Sequence, residues 1–184
     1  MGRLIVIDGA SCSGKSTVVR HILQLPGLDT AFAKRYTTRA PRPGDEAEDN
    51  YHFVTQDKFR HMVETGKFIE HKDYLFGMSY GLPRKETLDL LSRHDFVLAL
   101  IDLGRFDMVK QALPEAFGIL LTVPIDTIER RLRKRGTSTE EQIAERLENA
   151  RLAFSYAPKY DMVLDNDDGK LDGVISTIAE SLRK

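Results

Sequence analysis

The sequence predicts an α/β protein with a parallel sheet flanked by helices, and three observations carry that reading. Short β-branched apolar runs recur along the chain, as in Leu4 to Ile7 and in FVLALID. Continuous runs of this kind are the signature of strands buried on both faces. Between them stand amphipathic stretches with helix start and stop signals. The two kinds alternate, as parallel strands joined by crossover helices require.

Leu4 to Ile7 is the first strand. A glycine-rich turn follows, then a helix from Lys15 to Leu25 that Pro26 and Gly27 end. Ala31 to Ala33 is a second short strand. From about Tyr36 to Pro83 the chain turns polar, turn-rich and aromatic. There TQDKFRHMVETG predicts a short helix with Thr55 as N-cap and Gly66 as C-cap, with short strands in KFIEH and MSYG around it. Residues 35–83 thus read as a small subdomain inserted in a single unit, 1–184, whose core is 1–34 and 84–184. Pro83 opens a helix over Arg84 to Ser92. FVLALID is a buried strand ending in Asp102, and Phe117 to Val123 is another. The helix after Pro124 carries Ile128 and Leu132. In STEEQIAERLENARLAF, Ser138 and Glu141 have capping-box spacing, and Ile143, Leu147, Ala150 and Phe154 share one helical face. DMVLDN is the last strand and Leu171 to Leu182 the last helix.

Bulk properties remove several function classes. Lys plus Arg is 27 against 28 for Asp plus Glu, so there is no net basic field for long nucleic acid. No apolar run approaches the roughly 18 residues of a membrane span, and the short run in MGRLIVIDGAS reads as a strand, not a signal peptide. The single cysteine, Cys12, rules out an intrachain disulfide. A soluble cytoplasmic protein without a membrane partner is expected.

The strongest motif is GASCSGKST, Gly9 to Thr17, which fits G-x-x-x-x-G-K-[ST] with Gly9, Gly14, Lys15 and Ser16 in the fixed places. A buried strand precedes it and a helix follows, which is the context a phosphate loop needs. Glycines let successive backbone N–H groups turn toward phosphate oxygens, and the helix N-terminus favours an anion. Gly9, Ala10, Ser11, Cys12, Ser13, Gly14, Lys15, Ser16 and Thr17 are therefore the candidate ATP-binding residues. Lys15 would reach the β- and γ-phosphates and Ser16 would hold Mg²⁺. The fold class is accordingly a P-loop NTPase-type sheet, with ATP and Mg²⁺ as expected donor and cofactor.

The acceptor has to be found elsewhere. In RYTTRAPRPGDEAEDNYHF, Arg39 and Arg42 stand three apart in a loop stiffened by Pro41 and Pro43, with Tyr51 shortly after. Planar guanidinium forks suit a phosphate or carboxylate. They could equally pair with Asp45, Glu46, Glu48 or Asp49 as solvated loop charges.

Taken together, IVIDGASCSGKST, TTRAPRPGD, YHFVTQDKF, GKFIE, SYG, the strand before Asp102, RLRKRGTSTEEQIAERL and the late Asn-Asp resemble the guanylate kinase family nearly end to end. The resemblance implies a P-loop core, a small acceptor-binding domain and a lid, here residues 125–148. It implies ATP-dependent phosphoryl transfer to GMP or dGMP. Arg39, Arg42, Tyr51 and Tyr80 match its holders of the acceptor phosphate, and Glu70 the acid that reads the guanine edge. Arg135 and Arg146 match lid arginines, and Asn166 an asparagine near the donor adenine. Asp102 matches an aspartate facing the acceptor and, through water, the metal shell. Lys15, Arg39, Arg135 and Arg146 are the implied catalytic set.

The departures from the family pattern cluster at base recognition. Arg35, a further acceptor-site candidate, stands where the family has a small hydroxyl residue. Leu82 and Pro83 replace a Ser/Thr-containing step, Gly104 and Arg105 a glutamine and glycine, Leu100 a second aspartate, and Ala153 a glutamate. One extra residue lies between Glu70 and Tyr80. Two alternatives therefore stand beside GMP: another phosphate-bearing acceptor, such as a ribose bisphosphate or a different nucleotide, and a non-catalytic protein-binding module.

Overall fold

The apolar runs assemble side by side. In the computed structural model, which describes residues 1–41, 44–45, 49–74 and 77–183, strand β1 (Arg3–Gly9) is the centre of a five-stranded sheet. Its neighbours are β7 (Phe96–Leu100) and β8 (Phe117–Thr122). β2 (Thr30–Ala33) lies outside β7 and β9 (Met162–Asp165) outside β8. Every pairing is parallel.

Alternation along β1 explains the two layers that cover the sheet. Leu4 and Val6 point to one face and pack with Val97, Ala99, Phe106 and Leu120. Ile5 and Ile7 point to the other, where α1 (Lys15–Leu23) and α8 (Leu171–Leu182) bring Val18, Ile22, Val174 and Ile178. Each fully buried aliphatic side chain contributes about 1.5–3 kcal/mol relative to exposure, against about 0–1 kcal/mol for a surface ion pair. The core, not the many surface charges, therefore fixes the position of the loop after β1.

A second, four-stranded sheet comes from the aromatic segment. Its order is β4 (Tyr51–Phe53), β3 (Arg35–Thr37), β6 (Ser79–Pro83), β5 (Phe68–Asp73). β3 and β4 are parallel, and the other two pairings are antiparallel. α2 (Gln56–Glu64) lies against it through Phe59, whose ring stacks on Phe68 at 4.8 Å. Gly81 is required there, because a Cβ would stand 2.7 Å from the Phe68 ring.

α3 (Arg84–Leu91) leads back to the main sheet, and α4 (Phe106–Ala112) connects β7 to β8. Helices α5 (Ile125–Arg135) and α6 (Glu140–Arg151) then pack on each other and on the loop after β1. Ile128, Leu132, Ile143, Leu147 and Ala150 meet Ala10 and Val123 in one cluster. The short α7 (Ala153–Tyr156) follows. Among the described residues no helix is long and apolar enough to cross a membrane.

Several sequence expectations shift. The α6 capping box is formed by Thr139 and Gln142, not Ser138 and Glu141; the Thr139 hydroxyl accepts from the Gln142 N–H and the Gln142 side chain accepts from Thr139 N–H. Thr139 is the residue with extended backbone, which decides between adjacent hydroxyl residues. Phe154 does not share the α6 face, because the helix ends at Arg151 and the ring is exposed. α1 stops at Leu23, short of Leu25. In α2 the Thr55 hydroxyl caps as expected, but the C-cap is Thr65, and Gly66 follows with a positive φ. β7 ends at Leu100, so Asp102 lies beyond the strand in the loop that faces the cavity.

Candidate active site

The backbone after β1 cannot continue as a strand. Gly9 and Gly14 have φ of 148° and 92°, and Cys12 sits at 62° in the left-handed region. The chain curls there, with Ser13 N–H donating to Ala10 O at 3.2 Å, and α1 starts at Lys15. Gly14 is doubly constrained: besides its φ, a Cβ would stand 2.4 Å from Asn166 Nδ2. That same Nδ2 donates to Ser13 O at 2.7 Å and so holds the loop from outside.

The loop is tied at several further points. Asp8 Oδ1 accepts from Gly9 N–H at 2.5 Å, and Asp8 Oδ2 accepts from the Tyr160 hydroxyl. Arg131, from α5, donates to Cys12 O at 3.1 Å and to Asn166 O at 3.2 Å. Arg146, from α6, donates to Ser11 Oγ at 2.7 Å. Lys15 Nζ donates to Gly9 O and Ala10 O at 2.5 and 3.0 Å. Burial pushes the Lys15 ammonium down, and Asp8 and Asp102 offset this in part. Ser13 Oγ is buried without a partner among the described residues.

This loop forms one wall of a cavity of about 810 Å³. All nine residues from Gly9 to Thr17 line it, together with Asn166. Arg131, Arg135 and Arg146 roof it from α5 and α6. The far wall carries Arg39, Tyr51 and Tyr80 from the second sheet and its loops. A single space therefore joins a phosphate cradle to a second cationic, aromatic wall.

On the far wall Arg39 is 7% exposed. It donates to both carboxylate oxygens of Asp45, at 2.6 and 2.7 Å, and lies over the Tyr51 ring at 4.9 Å. Its fork is thus oriented by an acidic partner within the loop. Arg42 lies outside the described residues.

Deeper in, the second sheet aligns three residues. Thr37 faces Tyr80 and Tyr36 faces Gly81, which brings Arg35 level with Leu82; Leu82 in turn faces Glu70. Leu82 is fully buried, so the charged residues on either side meet across it. Arg35 donates to Glu70 Oε1 and to Asp102 Oδ2, both at 2.8 Å, and stands over the Tyr80 ring at 5.4 Å. Burial opposes the Arg35 charge, but Asp102 and Glu70 outweigh it and hold the guanidinium protonated. Burial likewise works against an ionised Asp102, and Arg35 with Lys15 overcomes it, so that carboxyl is held low. Glu70 is pushed up to about 7 by burial, against the pull of Arg35.

The guanylate kinase family profile matches residues 1–184. The chain belongs to the guanylate kinase family. It is 36% identical to a guanylate kinase of Trichormus variabilis over 169 residues, covering 91% of this chain and 83% of that one. It is 34% identical to a guanylate kinase of Salmonella choleraesuis over 184 residues, covering 99% and 87%. The solved guanylate kinase of Anaplasma phagocytophilum superposes with a TM-score of 0.76 at 25% identity, covering 99% of this chain and 85% of that one.

Within this guanylate kinase fold, most of the expected residues line the cavity: Gly9 to Thr17, Arg35, Arg39, Tyr51, Tyr80, Asp102, Arg135, Arg146 and Asn166. Glu70 does not. It is 0% exposed and lies behind Arg35 instead of at the cavity wall. The cause is the long guanidinium at position 35, which fills the space in front of the carboxylate. Asn166 acts on the loop backbone through Ser13 O as well as lining the cavity.

Other residues enter the site without having been singled out. Arg131 belongs to the basic stretch RLRKR. Helical spacing separates its members: Arg131 and Arg135 are four apart and line the cavity, while Arg133 pairs with Glu129 and Glu140 outside. Lys72, on β5, and Tyr74, just past its end, join the far wall. Lys72 Nζ lies 4.8 Å from the Tyr74 ring centre, and both residues line the cavity beside Asp102. Asp8 left no chemical signal in sequence; its part appears only where the fold sets Tyr160 beside it.

Proposed function

We propose that the chain transfers the γ-phosphoryl group of ATP to the phosphate of GMP or dGMP, giving ADP and the nucleoside diphosphate. The observation that carries this is the single cavity with the phosphate loop on one wall and Arg39, Tyr51 and Tyr80 on the other. We read residues 35–83 as the acceptor-binding subdomain and 125–148 as the lid. The nucleophile is an acceptor phosphate oxygen that is already anionic, so no general base is needed, and catalysis is positioning plus charge stabilisation. Lys15 would leave its loop carbonyls for the donor phosphates. Arg39, oriented by Asp45, would offset the acceptor's charge as two anions approach. Arg146, already on Ser11, and Arg135 would stabilise charge on the moving group.

Ser13 Oγ, a buried hydroxyl without a partner in the loop, fits a phosphate-oxygen contact. Among the described residues no cluster of three or more His, Cys, Asp or Glu could hold a metal by itself. Ser16 and Asp102 both line the cavity and would hold Mg²⁺ together with the nucleotide's own oxygens, Asp102 through water. When bound, the ion would offset charge on the β- and γ-phosphates. The intact loop favours catalysis over a binding module.

The test is ADP formation from Mg-ATP with GMP, dGMP, AMP, CMP, UMP, dTMP and ribose 1,5-bisphosphate, with Lys15→Ala as control. Lys15-dependent turnover with GMP and dGMP supports the reading. Turnover with ribose 1,5-bisphosphate and not with GMP refutes it.

A further inference from the structure

Glu70 and Arg35 have exchanged the places that a carboxylate-read acceptor site would give them. A carboxylate facing a bound purine selects guanine by accepting from N1–H and the 2-amino group. Here the carboxylate is sealed at 0% exposure and the guanidinium stands at the cavity wall. Two carboxylates, Glu70 and Asp102, fix that guanidinium at 2.8 Å each. They use one N–H on each terminal nitrogen. Arg35 Nε is buried without a partner among the described residues, and Arg35, although only 2% exposed, lines the cavity where Glu70 does not.

We propose that Arg35 is the specificity-determining residue of the acceptor site: its N–H groups donate to a ring carbonyl, the O6 of a purine, so the acceptor class is the 6-oxopurine monophosphates. This rests on the guanine-nucleotide reading above. In that class the 2-substituent is not what the protein selects. GMP, inosine monophosphate and xanthosine monophosphate all present O6 to the guanidinium. AMP presents a 6-amino donor, which cannot accept from Arg35.

Two features favour a neutral ring over a second phosphate at this wall. Arg35 already pairs with Glu70 and Asp102, and Lys72 lies near Asp102, so both cations have carboxylate neighbours before any ligand arrives. Tyr51, Tyr74 and Tyr80 surround them with flat aromatic surface of the kind that packs on a base. Glu70 then acts as a positioning residue that holds Arg35 from behind, and Asp102 ties the same guanidinium to the core beside Lys15.

The experiment is kcat/KM of the full chain with GMP, IMP, XMP and AMP at saturating Mg-ATP. The expected result is IMP and XMP within about tenfold of GMP, and AMP lower by about 100-fold, the discrimination that a good guanidinium–base contact supplies. IMP and XMP both about 100-fold or more below GMP would show a reader of N1–H and the 2-amino group, and would overturn the proposal while leaving the GMP reading intact. No turnover with any of the four, in protein that still binds ATP, would overturn both.

Arg35→Ser supplies a second readout. It opens Glu70 to the cavity, so the GMP-to-IMP ratio is expected to rise by about tenfold or more. A purely structural role for Arg35 would lower both substrates alike and leave that ratio unchanged, which would count against the proposal. Removing one member of a buried ion pair is strongly destabilising, so the wild-type panel decides the matter even where this variant does not fold.

Discussion

At one end of the cavity, nine consecutive residues, Gly9 to Thr17, supply the wall. At the ring end, the wall is assembled from side chains of β3, β5 and β6 and the loop after β7, with Arg35, Glu70 and Asp102 brought together from distant parts of the chain. The first arrangement is held by neighbours that grip its carbonyls: Asn166 on Ser13 O and Arg131 on Cys12 O. The second is held by two carboxylates on one guanidinium. Backbone N–H groups can bind any phosphate, so the first end tolerates little variation and carries little specificity. A side-chain row changes its chemistry with one substitution, so under the proposed function the second end would set selectivity.

The largest effect should come from the phosphate end. Lys15→Ala is expected to lower kcat by about 10³-fold or more, with the fold retained by circular dichroism and acceptor affinity little changed. An equal loss of acceptor affinity would break the division between the two ends. Next, Arg146→Ala removes the contact with Ser11 and a cation over the transferring group. A fall of about 10²- to 10³-fold in kcat, with the GMP-to-IMP ratio unchanged, is the expected outcome in steady-state kinetics.

A third prediction concerns what lies beneath the loop. Burial raises Asp8 from its ordinary 3.8 to about 6, although the Tyr160 hydroxyl and Lys15 pull it down. The native state therefore holds a proton more firmly than the unfolded chain. Stability should fall as pH rises through the window from about 4 to about 6, by on the order of 3 kcal/mol. Asp8→Asn removes the buried charge while its carbonyl accepts from Gly9 N–H and its amide donates to the Tyr160 hydroxyl oxygen. Its melting temperature should match wild type near pH 4 and exceed it at pH 8; equal melting at both values would remove Asp8 as the cause. The smallest effect is expected for Gly14→Ala. A non-glycine residue at φ 92°, with its Cβ against Asn166, should weaken ATP affinity about tenfold through strain of about 1–3 kcal/mol, measured by titration, and leave acceptor selectivity alone.

Much of this was legible in the residues. The core strands and α8 follow directly from apolar periodicity, and the phosphate loop from one contiguous motif, because backbone curvature is encoded locally by Gly9, Gly14 and their neighbours. Capping was legible only to within a residue: Ser138 and Thr139 are chemically alike, and backbone geometry chose Thr139. Phe154 kept the helical period, yet the chain bends at Leu152 and turns it to solvent.

The acceptor wall was legible as a list of residues but not as an arrangement. Sequence grouped Arg35, Glu70 and Asp102 as acceptor-site candidates and could not say which would line the cavity. That choice depends on the register of β3 against β6 and of β6 against β5, which sets Arg35, Leu82 and Glu70 in one row. By itself the sequence determined the α/β class, the strand that ends in a phosphate loop, and the lysine and serine that follow it, since each rests on contiguous residues and local backbone preference. Only the tertiary structure decided that Arg35 covers Glu70, that Arg131 turns inward while Arg133 turns out, and that Asp8 meets Tyr160. Those outcomes depend on side chains remote in sequence competing for the same buried space.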